Sequence, residues 1–233
     1  MNILAVGCHP DDLEIGCGGT LARYAAEGHR VVCCHVASGN MGHAVIMPDE
    51  LRVIRQTEAR EAGKVLGVSE VVSLDVNDLE VRSDDPELLL KTVELIRRAR
   101  PDVVITHSPE DYMADHVEVS KLVFDASFSA SVPHFGSGAA CAVTPIYYMD
   151  TLAGVNFLPA EYVDISDYIE TKLAALACHE SQIKWMLEHD KIDFIDFVRI
   201  CVQFRGLQCG AAYAEGFRPC VTWPRMTARR LLP

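Results

Sequence analysis

Short apolar runs recur along this chain, and between them lie segments whose apolar positions return every three or four residues. Residues 2–7 (NILAVG) and 31–36 (VVCCHV) are brief and uniformly apolar, which predicts strands buried on both faces. Between them, residues 20–27 predict a helix ended at Gly28. Asp49 opens a charged amphipathic segment that runs to about Leu66 and stops at Gly67, a second helix, and 70–74 reads as a third strand. Pro86 stands where the first position of a helix tolerates proline. That helix runs to Arg100, Pro101 follows, and 102–106 (DVVIT) predicts a fourth strand. Helices are predicted over 115–129, 166–187 and 190–204, and a strand over 145–149. This alternation predicts the α/β class, a doubly wound, mostly parallel, Rossmann-like sheet with helices on both faces. No repeat and no linker rich in Gly, Pro or Ser divides the chain. Residues 1–233 are therefore expected as one domain, with 130–233 extending it at one end.

Charge narrows the partners. The chain carries 21 Lys+Arg against 33 Asp+Glu, a net charge of −12, which repels nucleic acid and anionic membrane surfaces. No stretch reaches the roughly 18 to 20 apolar residues of a membrane span. The opening Met1-Asn2-Ile3-Leu4-Ala5-Val6-Gly7 is too short and lacks the basic lead-in of a signal peptide. The nine Cys lie mostly inside apolar runs and form no C-x-x-C pair, as expected of buried, reduced thiols in a cytoplasmic protein.

Chemistry concentrates where the first strand ends. In open α/β sheets the ligand crevice lies beyond the carboxyl ends of the strands, beside the point where strand order reverses. Here that loop reads Cys8-His9-Pro10-Asp11-Asp12-Leu13-Glu14-Ile15-Gly16-Cys17-Gly18-Gly19-Thr20. A dinucleotide site would place glycines directly after the strand, and the two carboxylates here would repel a pyrophosphate. A divalent cation fits better, since His9 and Asp12 at spacing three can converge on one ion around a turn stiffened by Pro10, with Asp11 pointing elsewhere. Spacing alone leaves a second reading open, that Asp11 and Asp12 cap the following helix. The loop after strand four, from His107 to His116, joins the same crevice if the strand order is 3-2-1-4-5, and His116 can then supply a third ligand. Two histidines and a carboxylate with an open position form a catalytic rather than a structural metal pattern.

These residues resemble the PIG-L/LmbE-like family of metal-dependent N-deacetylases. The loop from His9-Pro10-Asp11-Asp12 through Gly18-Gly19-Thr20 is similar to the family's first motif almost letter for letter, and Asp115-His116 to the end of its second. Weaker similarity lies in Ser38-Gly39-Asn40-Met41-Gly42, in Arg55-Gln56-Thr57-Glu58, and from Lys172 to His179-Glu180-Ser181-Gln182. The resemblance implies that His9, Asp12 and His116 hold Zn²⁺, with Fe²⁺ suited by the same ligands. It implies that Asp11 is the general base of amide hydrolysis by a metal-bound water. It also implies that Arg55 meets polar groups of the substrate and that Asp115 orients a neighbouring histidine. The implied substrate is a small N-acetylated molecule of the N-acetylglucosamine type, and a homo-oligomer is compatible with it. Another N-acyl amine, or metabolite binding without turnover, is the alternative.

One position departs from that pattern. The family's second motif usually reads His-x-Asp-His, and this chain has Met113 in place of the first histidine. Methionine neither donates a proton nor carries charge. Asp11 acting twice, Tyr112, or one of His43, His107, His134 and His179 are the candidates to fill the role, His179 reading equally as a core residue. Trp185 and Trp223 are expected to pack, His29 and His35 to be structural, and the arginines of 225–230 to be a solvated terminus or a subunit contact.

Overall fold

The computed structural model describes residues 1–233. Five strands run parallel in the order β3-β2-β1-β4-β5: β1 (Asn2–Gly7), β2 (Arg30–Ala37), β3 (Glu70–Val76), β4 (Val103–Thr106) and β5 (Ile146–Met149). Two antiparallel strands complete the sheet beside β5, first β7 (Ala214–Pro219) and then β6 (Glu161–Asp164). β1 and β4 are direct neighbours, so the loops that follow them open on the same crevice. This is a doubly wound, mostly parallel α/β sheet.

β1 shows why its run is apolar throughout. Ile3 and Ala5 face one core, with Leu13, Cys17 and Leu21 of α1 (Asp12–Ala26), Leu173 and Leu176 of α5 (Ile169–Ala177), and Val198 and Val202 of α7 (Phe194–Cys209). Leu4 and Val6 face the other, with Leu88, Val93 and Ile96 of α3 (Pro86–Ala99) and Val119, Leu122 and Val123 of α4 (Ala114–Ser129). Alternate residues thus feed opposite layers, and a polar residue on either side would be buried without a partner. α2 (Pro48–Leu66) packs Ala62 and Leu66 against Ala22 of α1 and Ala175 of α5. No helix is long and apolar enough to cross a membrane.

Four expectations change. The first helix begins at Asp12, not residue 20, and runs straight through Gly16, Gly18 and Gly19. Two distant charges explain it. Lys172 donates through Nζ to the carbonyls of Glu14 (2.8 Å) and Ile15 (2.7 Å) and to Glu215 Oε1 (2.6 Å), while Glu215 accepts the N–H groups of Gly19 (2.9 Å) and Thr20 (2.7 Å). A fully buried ion pair is thereby spliced into the backbone of α1, bonding groups that a helix ordinarily pairs with one another. Gly19 admits the close approach of Ile165, whose side chain a Cβ there would meet at 2.8 Å. Second, the helix predicted over 166–187 is interrupted. A single turn at 166–168 leads into α5, the chain breaks at Cys178 and His179, α6 (Glu180–Trp185) follows, and 186–190 is one wide turn. Third, the last helix is Phe194–Cys209 rather than 190–204. Fourth, β6 and β7 lie where no apolar run marked them. AEGFRP reads as polar because Glu215 is spent inside on Lys172.

Candidate metal centre and catalytic pocket

At the mouth of β1 the chain turns through Pro10, and Asp11 adopts φ 111°, ψ −28°, a left-handed conformation that costs a non-glycine residue about 1–3 kcal/mol and is retained where the surroundings impose it. What imposes it is Arg55 of α2. Its guanidinium donates to Asp11 Oδ2 (2.9 Å), to the Gly39 carbonyl (3.2 Å) and to the Pro10 carbonyl, and it is buried. Gly39 makes room for it, because a Cβ there would fall 2.6 Å from the guanidinium. Asp11 stands at the start of α1 without a capping hydrogen bond, and Asp12 turns its carboxylate back onto the N–H groups of Cys8 (3.1 Å) and His9 (2.6 Å). Helix capping therefore does not account for the pair.

Three ligand atoms converge. His9 Nδ1 and Asp12 Oδ2 are 3.5 Å apart, His116 Nε2 and Asp12 Oδ2 3.3 Å, and His9 Nδ1 and His116 Nε2 3.3 Å. A tetrahedral ion with ligand bonds of about 2.0–2.1 Å requires separations of roughly 3.3–3.4 Å. The far nitrogens are held in turn: His116 Nδ1 donates to Asp111 Oδ2 (3.1 Å), and His9 Nε2 lies 3.4 Å from Asp115 Oδ2, which also accepts the Leu79 N–H (2.7 Å). Each carboxylate fixes the tautomer that leaves a lone pair aimed inward, the support that metal-binding histidines require.

The electrostatics carry the same signature. Burial alone would raise Asp12, but the His116 imidazole holds its carboxyl well below the usual range. Burial alone would lower both imidazoles, but Asp12 and Asp111 raise His116 to about 9, and Asp115 and Asp12 help to raise His9 well above its ordinary value. These carboxylates stabilise positive charge between them, carried by protons when nothing else carries it. Burial pushes Asp11 up to about 6 against the opposing pull of Arg55. Burial pushes the Cys8 thiol up to about 12, so this neighbour of His9 stays a thiol rather than a metal-binding thiolate.

His107 belongs to the constellation as well. It stacks on His116 at 3.9 Å between ring centroids and sits 3.2 Å from Asp12 Oδ2. Its Nε2 accepts the Cys8 N–H (2.9 Å), which engages the lone pair a metal would need, and burial lowers its basicity, leaving it neutral. His43 and His134 are not among the residues lining the cavity, and His179 is fully buried behind the wall, with Nε2 3.4 Å from Glu14 Oε2 and within electrostatic reach of Asp11. Tyr112 and Met113 stand half-exposed at the edge of a cavity of about 420 Å³ that the three converging residues and Asp11 also line. Asp111 carried no sequence signal as a partner of His116, because the loop that folds it back has no periodicity. Other single residues also differ from expectation: Trp223 is exposed, and Arg225, in the basic tail, is buried over the Phe124 ring.

Comparison with known proteins settles the lineage. The family described as PIG-L, GlcNAc-PI de-N-acetylase, matches residues 4–127. Diacetylchitobiose deacetylase from Thermococcus kodakarensis is 31% identical over 93% of this chain and 82% of its own. The chain belongs to the PIG-L family. Among PIG-L structures, that of N,N'-diacetylchitobiose deacetylase from Pyrococcus horikoshii superimposes with a TM-score of 0.81 at 28% identity, covering 94% of this chain and 83% of that one. The relatives are not all deacetylases: 4-oxalmesaconate hydratase from Pseudomonas putida is 25% identical over 96% of this chain and 90% of its own.

Proposed function

We propose that this PIG-L protein is a metal-dependent hydrolase that removes an acetyl or small acyl group from the nitrogen of an N-acetylglucosamine-type small molecule. The observation that carries the reading is the triangle of His9 Nδ1, Asp12 Oδ2 and His116 Nε2 at 3.3–3.5 Å with Asp11 beside it in one cavity. A zinc ion, or iron(II), held by these three would lower the pKa of a water from about 15.7 to roughly 7 and polarise the amide carbonyl. Arg55 fixes the Asp11 carboxylate, through which the attacking water loses its proton. A base of pKa about 6 is ionised at neutral pH yet basic enough for the task. Met113 has no proton to give, so Asp11 returns the same proton to the departing amine. Tyr112 at the rim offers a hydroxyl to the oxyanion, and Asp111 and Asp115 hold the two imidazoles. Residues 1–233 act in this reading as one domain, in which the part after residue 130 supplies the cavity wall from Met149 to Phe194.

Charge favours a neutral amide over an anionic substrate. Asp11, Asp12, Asp78, Asp111 and Asp115 all line the cavity, and its one guanidinium, Arg55, is already paired with Asp11. A carboxylated substrate of the kind a hydratase would accept meets repulsion there.

The test is metal analysis of protein purified without chelator together with acetate release from N-acetylglucosamine derivatives. One metal per chain and measurable acetate are expected. Asp11→Asn keeps the metal and loses about 10²- to 10⁴-fold in kcat, while His116→Ala loses the metal. Undiminished turnover in Asp11→Asn refutes the base assignment, and absence of stoichiometric metal refutes the reading as a whole.

A further inference from the structure

A second cavity of about 310 Å³ adjoins the catalytic one, and Ile15, Gly16, Asp150 and Leu152 line both. α7 forms its far wall through Phe197, Cys201 and Phe204, and the 151–154 turn and the start of β7 close the rest. Its volume falls in the range of small-ligand pockets.

The chemistry of the wall says what fits. Ten of its 17 lining residues are hydrophobic, and four polar side chains among the rest are bound to protein already. Asp150 receives both oxygens' worth of bonds from Arg205, at 2.6 and 3.1 Å. Two further Arg205 donors go to Gln208 Oε1 (2.9 Å) and the Phe157 carbonyl (3.2 Å). Glu215 is held by Lys172, and Thr151 donates to the Val155 carbonyl. Each charge is neutralised within the wall. A polar or ionic ligand group entering here would exchange water for nothing, whereas hydrocarbon gains by leaving water.

We propose that this cavity is a subsite for an alkyl arm of the substrate, several carbons long, reached from the metal centre along Ile15 and Leu152. The inference rests on the hydrolase reading above and names the substrate class within it: amides that carry hydrocarbon either on the acyl carbon or on the aglycone of the amino sugar. The physics of burial is the same for both.

Two substrate series separate them, N-acylglucosamines from acetyl to octanoyl and alkyl glycosides of N-acetylglucosamine from methyl to octyl. In one series kcat/KM rises about fourfold per added methylene, equivalent to about 0.8 kcal/mol each, until the cavity is full. Flat profiles in both series overturn the proposal. Cys201→Phe, which fills the cavity from α7, and Phe204→Asp, which places a charge at its exposed rim, each lower the six-carbon to shortest-chain ratio at least tenfold within the same variant. A ratio unchanged in both variants, each shown folded by its thermal transition, also overturns it.

Binding of hexyl β-glucoside, which has no amide, is measured by calorimetry against methyl β-glucoside. Binding at least tenfold tighter for the hexyl compound supports the subsite even if no amide is hydrolysed, in which case only the reaction reading has failed. Acetyl hydrolysis with flat profiles in both series and no preference for hexyl overturns the subsite alone. The exposed apolar residues Ile200, Phe204 and Leu207 follow one another along α7. If Phe204→Asp dissociates an assembly and hexyl glucoside does not bind, a second copy covers this face and the proposal is wrong.

Discussion

Replacing Lys172 by methionine probes the device that lets α1 pass through its glycines. The ammonium is wholly buried and bonds two carbonyls of α1 and Glu215, which is itself 2% exposed and bonded to Gly19 and Thr20. Lys172→Met leaves that carboxylate in the interior with its N–H donors but no cation, and two carbonyls without the donor they now have. Breaking a buried pair on one side costs about 3–5 kcal/mol. Against a total stability of about 5–15 kcal/mol that is about a fifth of the whole at least, and for a chain of this size it lowers Tm by roughly 6–20 °C. The double variant Lys172→Met/Glu215→Gln removes the orphaned charge and recovers part of the loss. Urea unfolding followed by circular dichroism measures all three proteins, with the slopes compared so that a change in midpoint reads as a change in stability. A loss under 1 kcal/mol in Lys172→Met would show that water reaches the pair, and the account of α1 would be wrong.

Other predictions concern titration. Burial lowers His35 from 6.5 to about 4, so between those values the unfolded chain takes up a proton that the folded one refuses. Stability is therefore lost as pH falls through 6.5 toward 4, by about 2 kcal/mol at pH 5 from this group. His35→Leu flattens that limb, and denaturant unfolding at pH 7 and pH 5 checks it: an unchanged difference between the two pH values contradicts the assignment. At the metal centre the raised His116, at about 9, must lose a proton for the ion to bind. Apparent zinc affinity consequently falls at least about tenfold per unit of acidification below neutrality. Competition with a chelating dye at pH 6, 7 and 8 measures the slope, and a flat profile means that these nitrogens are not the ligands.

How much of this was legible in the sequence follows from where the forces act. The parallel half was legible because each buried strand must be apolar on both faces, and VVCCHV or DVVIT leaves little other reading. β7 was not, because Glu215 looks like a surface residue until Lys172, 43 residues away, is found beside it. α1 was misplaced for the same reason: Gly16, Gly18 and Gly19 argue against a helix on local propensity, and tertiary hydrogen bonds override that preference. At the site, short-range spacing displayed His9, Asp11 and Asp12 together, and neighbouring strands brought His116 to them. The partners that orient these groups were invisible or only partly legible. Arg55 sits on a charged helix, where a solvated ion pair is the usual reading, yet it is buried against Asp11 in the cavity wall, and Asp111 becomes a partner of His116 only once the loop folds. His107, one of four histidines considered for the place vacated at Met113, is the one that lines the cavity, and it does so as a neutral acceptor rather than a proton donor.

The central claim is that His9, Asp12 and His116 hold an ion on which amide hydrolysis depends. Protein stripped with a chelator, then titrated with Zn²⁺ while acetate release from an N-acetylglucosamine derivative is followed, tests it most directly. Activity is predicted to be absent after stripping, to return linearly and to break at one equivalent, with no recovery in His116→Ala. Full activity in the stripped protein, or recovery in His116→Ala equal to that of the unaltered chain, would contradict it.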